Sequence, residues 1–494
     1  MVAGLSDEYL TLLQPLFSEN GFKKIAREGV VMTDVDYGPR IDESAATAII
    51  YTGAAPSVNG IFANERYDRR RQQVSHILRD TTFIGNTTSL ILSPKNIGVS
   101  TLSDEIRLDA SGIGTVFSIA PNASQAIISA GHAGNNAYWI DDKTGLWSTS
   151  SYYKEMATPM ATRNSRRPLA NVLDTLSWTP LLEPSKYPDL PEYKTKYPFK
   201  YTFPRKDTDR FMQYKESALV NEEITELACE FINTIPFGER EVTDMLNLTL
   251  TVAPYSYSIS GDTRMESMDS YLRLDRDIGL ILETIDKKIG LKNAFVFIAG
   301  YPSVGKASKD DEKWGVPSGE FSPKKAISLL NIYLMALHGP GNWVEGYFNR
   351  NFYLNQSLIK EKHLDLTAFR DEVAEFLMRM SGVSQAMTID DILFNRTAIE
   401  SSAMRRNISV KNSGDVIIDI IPGWSITDDV NSSGSRKTQV VRENYVPSTV
   451  MILSSTVKPQ TIHSTVDARS IAPTVARLAR FRTPNAASLP ALKL

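Results

Sequence analysis

Short, uninterrupted apolar runs alternate with stretches of helical periodicity along this 494-residue chain. That alternation constrains the fold more than any other feature. A run that is apolar at every position suits a strand covered on both faces, which a parallel sheet between two helix layers provides. The expected strands are 114–119 (GTVFSI), 126–130 (AIISA), 245–252 (MLNLTLTV), 294–299 (AFVFIA), 415–421 (DVIIDII) and 448–453 (STVMIL). Two helices stand out between them. In 221–234, Ile224, Leu227, Ala228, Phe231 and Ile232 form one face, with Asn221 as N-cap. In 269–289, Tyr271, Leu274, Ile278, Ile281, Ile285 and Ile289 recur every three to four residues, and Gly290 ends the run. The Pro- and Tyr-rich stretch 179–204 reads as a surface loop, and 366–381 as a further helix outside the sheet.

The length allows one large α/β domain with insertions. A net charge of -3 gives no reason to expect nucleic acid or an anionic membrane as partner. Arg69, Arg70 and Arg71 read as a solvated face. A single cysteine, Cys229, excludes an intrachain disulfide and falls on an apolar helix stripe, so a buried structural thiol is expected. No run of 18 apolar residues marks a transmembrane span, and no signal peptide opens the sequence.

Two passages, YTGAAPSVNGIFANERYD at 51–68 and AYWIDDKTGLWSTSSYY at 137–153, carry a family resemblance. Collinear with them are SWTPLL (177–182), IPFGE (235–239), YLRLDRDIGLILETIDKKIG (271–290), GNWVEGYFN (341–349), SGD (413–415), PGW (422–424) and IAPTVARL (471–478). Together they resemble the type I phosphodiesterase/nucleotide pyrophosphatase group of the alkaline phosphatase superfamily, in particular its large bacterial phosphate-irrepressible phosphomonoesterases. The resemblance implies a single α/β domain over 1–494, with a mostly parallel central sheet flanked by helices. It implies inserted surface or cap segments around 154–215 and 305–410. It also implies a first strand cut short at Met1, a longer precursor and a periplasmic home.

The same resemblance implies a site in which two zinc-type ions clamp a phosphoryl group while a Thr or Ser alkoxide attacks it. The family supplies an Asp after the first strand, an Asp-x-x-x-His pair, an Asp-His pair and a late His as metal ligands. Matched position by position, this sequence carries Ala3, then Ser256 and Ser260, then Tyr301 and Pro302, and finally Tyr445. The nucleophile position falls on Glu43, or on Ser44 if the register shifts by one residue. The phosphate-contacting Lys-x-Arg becomes Asn122 and Ser124, while Asn64 keeps a substrate-contact identity. Ala and Pro offer no side-chain donor, and Ser and Tyr are poor ligands for divalent ions at neutral pH.

The expectation is therefore a pseudoenzyme without metal cofactors, serving as a binding or assembly protein. Asn64, Asn122, Ser124, Tyr301 and Tyr445 would line a cleft for a protein partner or an uncharged small molecule. The alternative is an active phosphomonoesterase or phosphodiesterase with two Zn²⁺ ions in an altered site. Asp34, Asp36, Asp42 and Glu43 form an acidic group that could bind a cation, since Asp34 and Asp36 would share one strand face. His132 is expected to be a structural hydrogen-bonding residue.

Overall fold

The computed structural model describes residues 1–153, 155–258, 262–303, 319–394, 404–409, 412–427 and 447–494, and the backbone of 438–440. Along the chain come β1 (Val2–Ala3), β2 (Val30–Asp36), α1 (Glu43–Thr52), β3 (Val116–Ile119), α2 (Ala123–Ala130), β4 (Asn136–Ile140), β5 (Trp147–Ser150) and α3 (Leu219–Thr234). They are followed by β6 (Met245–Leu248), β7 (Leu250–Thr251), α4 (Arg264–Lys288) and β8 (Val296–Tyr301). An inserted unit then holds α5 (Pro323–His338), β9 (Val344–Phe348), β10 (Asn351–Leu354), α6 (Leu366–Met378), β11 (Val383–Thr388) and β12 (Val416–Ile420). The chain returns with β13 (Ser448–Leu453), β14 (Gln460–Ile462) and α7 (Ile471–Leu478).

One half of the central sheet has the order β7-β1-β8-β13-β2-β14, and the other β6-β3-β4-β5. Thr249 alone separates β6 from β7, and its N–H bonds the Ile119 carbonyl, so the two halves run on as one. The pairs β1–β7, β1–β8, β6–β3, β3–β4 and β2–β14 are parallel, whereas β13 runs antiparallel to both neighbours. Every residue of β3, β4 and β13 is buried, as their largely apolar character suggests. Side chains alternate between two apolar layers. Ile298, Met451 and Leu453 join α4 on one face, while Ala299, Val450 and Ile452 join α1 and α7 on the other.

Several sequence expectations are corrected. Residues 126–130 lie in α2, not a strand, and the helix ends at Gly131 (φ 65°). Small Ala and Ser residues around a single Ile-Ile pair fit the tight approach to α1 better than a sheet position. Residues 415–421 do form a strand, β12, but in a separate antiparallel sheet, β9-β10-β12-β11, whose core includes α5 and α6. Burial on both faces by a second core gives the same apolar signature as a central strand. Asn221 does not cap α3; it sits inside the helix, fully buried, and exchanges two hydrogen bonds with the Thr251 backbone. The 179–204 stretch is anchored rather than superficial, for Tyr187, Phe199 and Phe203 are buried in the same core as α4. Cys229 is half-buried, with the Thr284 hydroxyl donating to its sulfur at 3.3 Å. Arg69 departs from the solvated run by pairing with the fully buried Asp415 at 2.7 Å.

Candidate functional site

The carboxyl edge of the sheet is where open α/β folds place their ligands. Here Ala3, at the end of β1, lies opposite Thr251 of β7 and Tyr301 of β8. Tyr301 is 1% exposed and shares an apolar cluster with Ala3 and Tyr37. Tyr37 donates its hydroxyl to the Gly300 carbonyl. Burial, reinforced by the nearby Glu43, drives the Tyr301 phenol well above its ordinary range, so it stays protonated. Its place is that of a packed, neutral ring.

Two helices point their N-termini at this edge. Asp42 caps α1, accepting Ala45 N–H at 2.9 Å through one carboxylate oxygen and Asn64 N–H at 2.6 Å through the other. Glu43 is the first residue of α1. Gln125, buried on α2, donates from Nε2 to Glu43 Oε2 at 2.6 Å. Burial pushes the Glu43 carboxyl up to about 7, and the negative neighbours Asp42 and Glu216 add to the rise. An anion at a helix N-terminus is ordinarily favoured. Desolvation and like charge oppose that preference here, leaving a carboxyl poised between neutral and ionised.

Beside it, Ser44 Oγ donates to Asn64 Oδ1 at 3.2 Å, and Ser124 Oγ donates to the same oxygen. Ser124 also meets His76 Nε2 at 3.1 Å. This is not a nucleophile–base pair. His76 Nδ1 accepts the Leu78 N–H at 3.1 Å, which places the ring proton on Nε2 and makes that nitrogen the donor. Burial holds the His76 imidazole down at about 4, so it is neutral. Both serine hydroxyls are committed to Asn64, and among the described residues neither meets a base that could activate it.

The structure thus gathers Glu43, Ser44, Asn64 and Ser124 at the α1–α2 junction, with Tyr301 against Gln125 and Glu43. Asn122 occupies the N-cap position of α2 without a side-chain capping bond. Ser256, beyond β7, donates to Glu216 on the rim. Pro302 follows β8 directly, half-buried. Ser260 and Tyr445 lie outside the described residues. Gln125, His76, Glu216 and Tyr37 carry no motif in the sequence: Gln125 simply follows Ser124 on α2, and the other three join from other segments of the chain. The acidic group is not assembled. Asp34 accepts from Thr465, Asp36 from Gly38 N–H, and Asp42 is consumed as a helix cap. His132 does take a structural position, with Nδ1 at 3.0 Å from Asp104 and Nε2 donating to the Ile97 carbonyl at 3.1 Å.

The sequence matches the family model for type I phosphodiesterase / nucleotide pyrophosphatase over residues 2–445. The chain belongs to this family, within the alkaline phosphatase superfamily. Alkaline phosphatase PafA of Elizabethkingia meningoseptica is 26% identical, the match covering 97% of this chain and 90% of that protein. Alkaline phosphatase PhoV of Synechococcus elongatus is 24% identical over 97% of this chain and 88% of its own. The crystal structure of PafA superposes with a TM-score of 0.84 at 24% identity, covering 100% of this chain and 98% of that one. It shares the fold.

The family's resemblance carries two divalent metals, so the donor set at the sheet edge decides whether they fit. Ala3, Pro302 and the packed Tyr301 supply no carboxylate or imidazole, and Ser256 is bonded to Glu216. Among the described residues no three His, Cys, Asp or Glu side chains are grouped to hold a metal ion. These residues do not fit a two-metal site.

Proposed function

We propose that this chain is a catalytically silent member of the type I phosphodiesterase/nucleotide pyrophosphatase family that works as a binding or assembly protein. The observation that carries this reading is the pairing of Ala3 with Tyr301 at the carboxyl end of the sheet. An apolar methyl and a neutral phenol stand where the resemblance places metal ligands. The adjoining groups are amides, hydroxyls and a carboxyl hydrogen-bonded to Gln125, which suit an uncharged ligand or a peptide segment better than a phosphate dianion. By family, its working compartment is the periplasm.

The second reading, an active metal-dependent phosphomonoesterase or phosphodiesterase, draws on the relatives, two of which are alkaline phosphatases matched over 97% of this chain. One experiment separates the two. The protein is equilibrated with Zn²⁺, freed of loosely held ions, and analysed for metal and for p-nitrophenyl phosphate and bis-p-nitrophenyl phosphate hydrolysis. The binding-protein reading expects no stoichiometric zinc and no turnover above the buffer rate. Two tightly held ions with turnover would overturn it.

A further inference from the structure

α5 carries two apolar stripes, although its packing in the fold uses only one. Ala326, Leu330 and Leu334 are buried in the core of the inserted unit. On the opposite side of the helix, Leu329, Ile332 and Ala336 follow the i, i+3, i+7 spacing of a second apolar face, with Met335 beside them. This face is open to solvent: Leu329 is 54% exposed, Ile332 60% and Met335 39%, and Ala336 is exposed as well.

The charges around the second stripe are divided by end. The first turn of α5 holds Lys324 and Lys325, both exposed, and no acidic residue. Cations at that end oppose the helix dipole and weaken α5 on its own. At the other end, carboxylates come from α6. Glu372 meets His338 Nε2 at 2.9 Å, and the exposed Glu375 follows it one turn along. Lys325, Leu329 and Tyr333 form one row at four-residue spacing. Tyr333 stacks on Phe376 of α6 with ring centroids 4.4 Å apart, so this row, Lys325 included, lies on the α6 flank of the stripe.

We propose that this face joins a second copy of the chain, the two α5 helices packing antiparallel across a two-fold axis at Ile332. A two-fold contact requires a self-complementary surface, and this one matches itself in apolarity and in charge. Centred on Ile332, the pairing sets Leu329 against the partner's Met335, Ser328 against the partner's Ala336, and Lys325 against the partner's Gly339. Lys325 thereby meets the negative end of the partner's helix dipole, beside the partner's Glu372. The axis is perpendicular to both helices and keeps the two α6 helices on one side, the side on which Lys325 lies. The stripe from Lys325 to Ala336 is about 16 Å long. One helix from each copy makes an interface at the small end of the specific range, so a reversible dimer with Kd on the order of tens of micromolar is expected. The surface belongs to the inserted unit and does not rest on the reading of the Glu43 cluster.

The test is sedimentation equilibrium of the intact protein from about 2 to 200 μM, a range that brackets this Kd. The wild type should shift from 55.0 kDa toward twice that mass as concentration rises. Ile332→Lys sets two lysines against each other on the axis and should stay monomeric, with circular dichroism unchanged because the position is exposed. Lys325→Glu favours α5 itself through the helix dipole yet should weaken the dimer at least about fivefold, or about 1 kcal/mol. A wild type that remains monomeric at the highest concentration would overturn the proposal. A dimer untouched by Ile332→Lys would do the same, because another surface would then hold the copies together. Full dimerisation of Lys325→Glu would overturn the antiparallel pairing on which the proposal stands.

Discussion

Replacing Glu43 by Gln should make the protein's stability less sensitive to alkaline pH. The carboxyl rises from 4.5 to about 7 in the fold, first through burial and then through Asp42 and Glu216. A carboxyl that holds its proton more tightly when folded loses stability as pH climbs from its unfolded value through its folded one. Below pH 4.5 the group is neutral in both states and contributes nothing; above about pH 7 the full penalty is present. At about 1.4 kcal/mol for each pH unit between those values, the penalty is at most about 3.4 kcal/mol. Glu43 retains partial exposure, and solvent screening brings the expectation to roughly 1–2 kcal/mol. In the Glu43→Gln variant the side chain is uncharged at every pH and can still accept the Gln125 amide. With an unfolding entropy of about 2.1 cal/mol/K per residue, 1 kcal/mol corresponds to roughly 1 °C in a chain of 494 residues. Asp277 is also raised to about 7, so the wild-type slope alone is ambiguous. The informative quantity is Tm of Glu43→Gln minus Tm of wild type, measured by calorimetry at pH 5 and pH 8. It should increase by roughly 1–2 °C between them. A difference that stays constant with pH would refute the argument, since Glu43 would then titrate as an ordinary carboxylate.

Asp415 is fully buried and receives Arg69, two nitrogens of Arg370, Gln356 and Leu354 N–H. Asp415→Asn leaves the Arg69 guanidinium without its paired anion and Arg370 with Asp390 alone, and should cost about 3 kcal/mol, seen as faster hydrogen exchange across β9–β12. Gly21→Ala places a methyl 2.2 Å from Asp275 Oδ1 and 2.4 Å from its carbonyl. Asp275 caps this turn through Ser18 and Phe22 N–H at 2.7 and 2.8 Å, so a loss of about 2–3 kcal/mol is expected in thermal melts. A titration of His76 followed by NMR should show a neutral ring down to about pH 4; a midpoint near 6.5 would undo its assignment as a buried donor.

Periodicity revealed the layers of this fold because each layer repeats one simple rule. The apolar face of α4, predicted from Tyr271 to Ile289, is realised in a helix of 25 residues that stops before Gly290 at φ 79°. The failures share a cause. Residues 126–130 (AIISA) and 415–421 (DVIIDII) are dominated by apolar residues, and that pattern records burial without saying in which core or in which secondary structure. At the site, Glu43, Asn64 and Ser124 were found because motifs flank them. Gln125 has no such marker, although its amide holds the Glu43 carboxyl in place. Its role exists only after α1 and α2 pack, across 82 positions of sequence.

The convergence of α1 and α2 gives the argument about ligand charge its sharpest form. Two helix N-termini directed at one point make a ready anion site, and backbone N–H groups there would ordinarily hold a phosphate. In this chain the potential is answered from within. Asp42 takes the Ala45 N–H of α1 and the Asn64 N–H of the adjoining loop, Glu43 occupies the first turn of α1, and Glu216 stands on the rim beside Ser256. Lys215, whose charge reaches Glu43, is spent on Asp142 and the Ile140 carbonyl. A phosphate dianion approaching this junction would meet carboxylates with no uncommitted cation among the described neighbours, whereas a neutral amide or hydroxyl would meet hydrogen-bonding groups at little electrostatic cost. Inorganic phosphate at millimolar concentration should therefore leave the wild-type Tm unchanged at pH 8. Glu43→Gln, by removing the central charge, should allow a small phosphate-dependent rise. A larger stabilisation of the wild type than of the variant would show that the junction still works as an anion site.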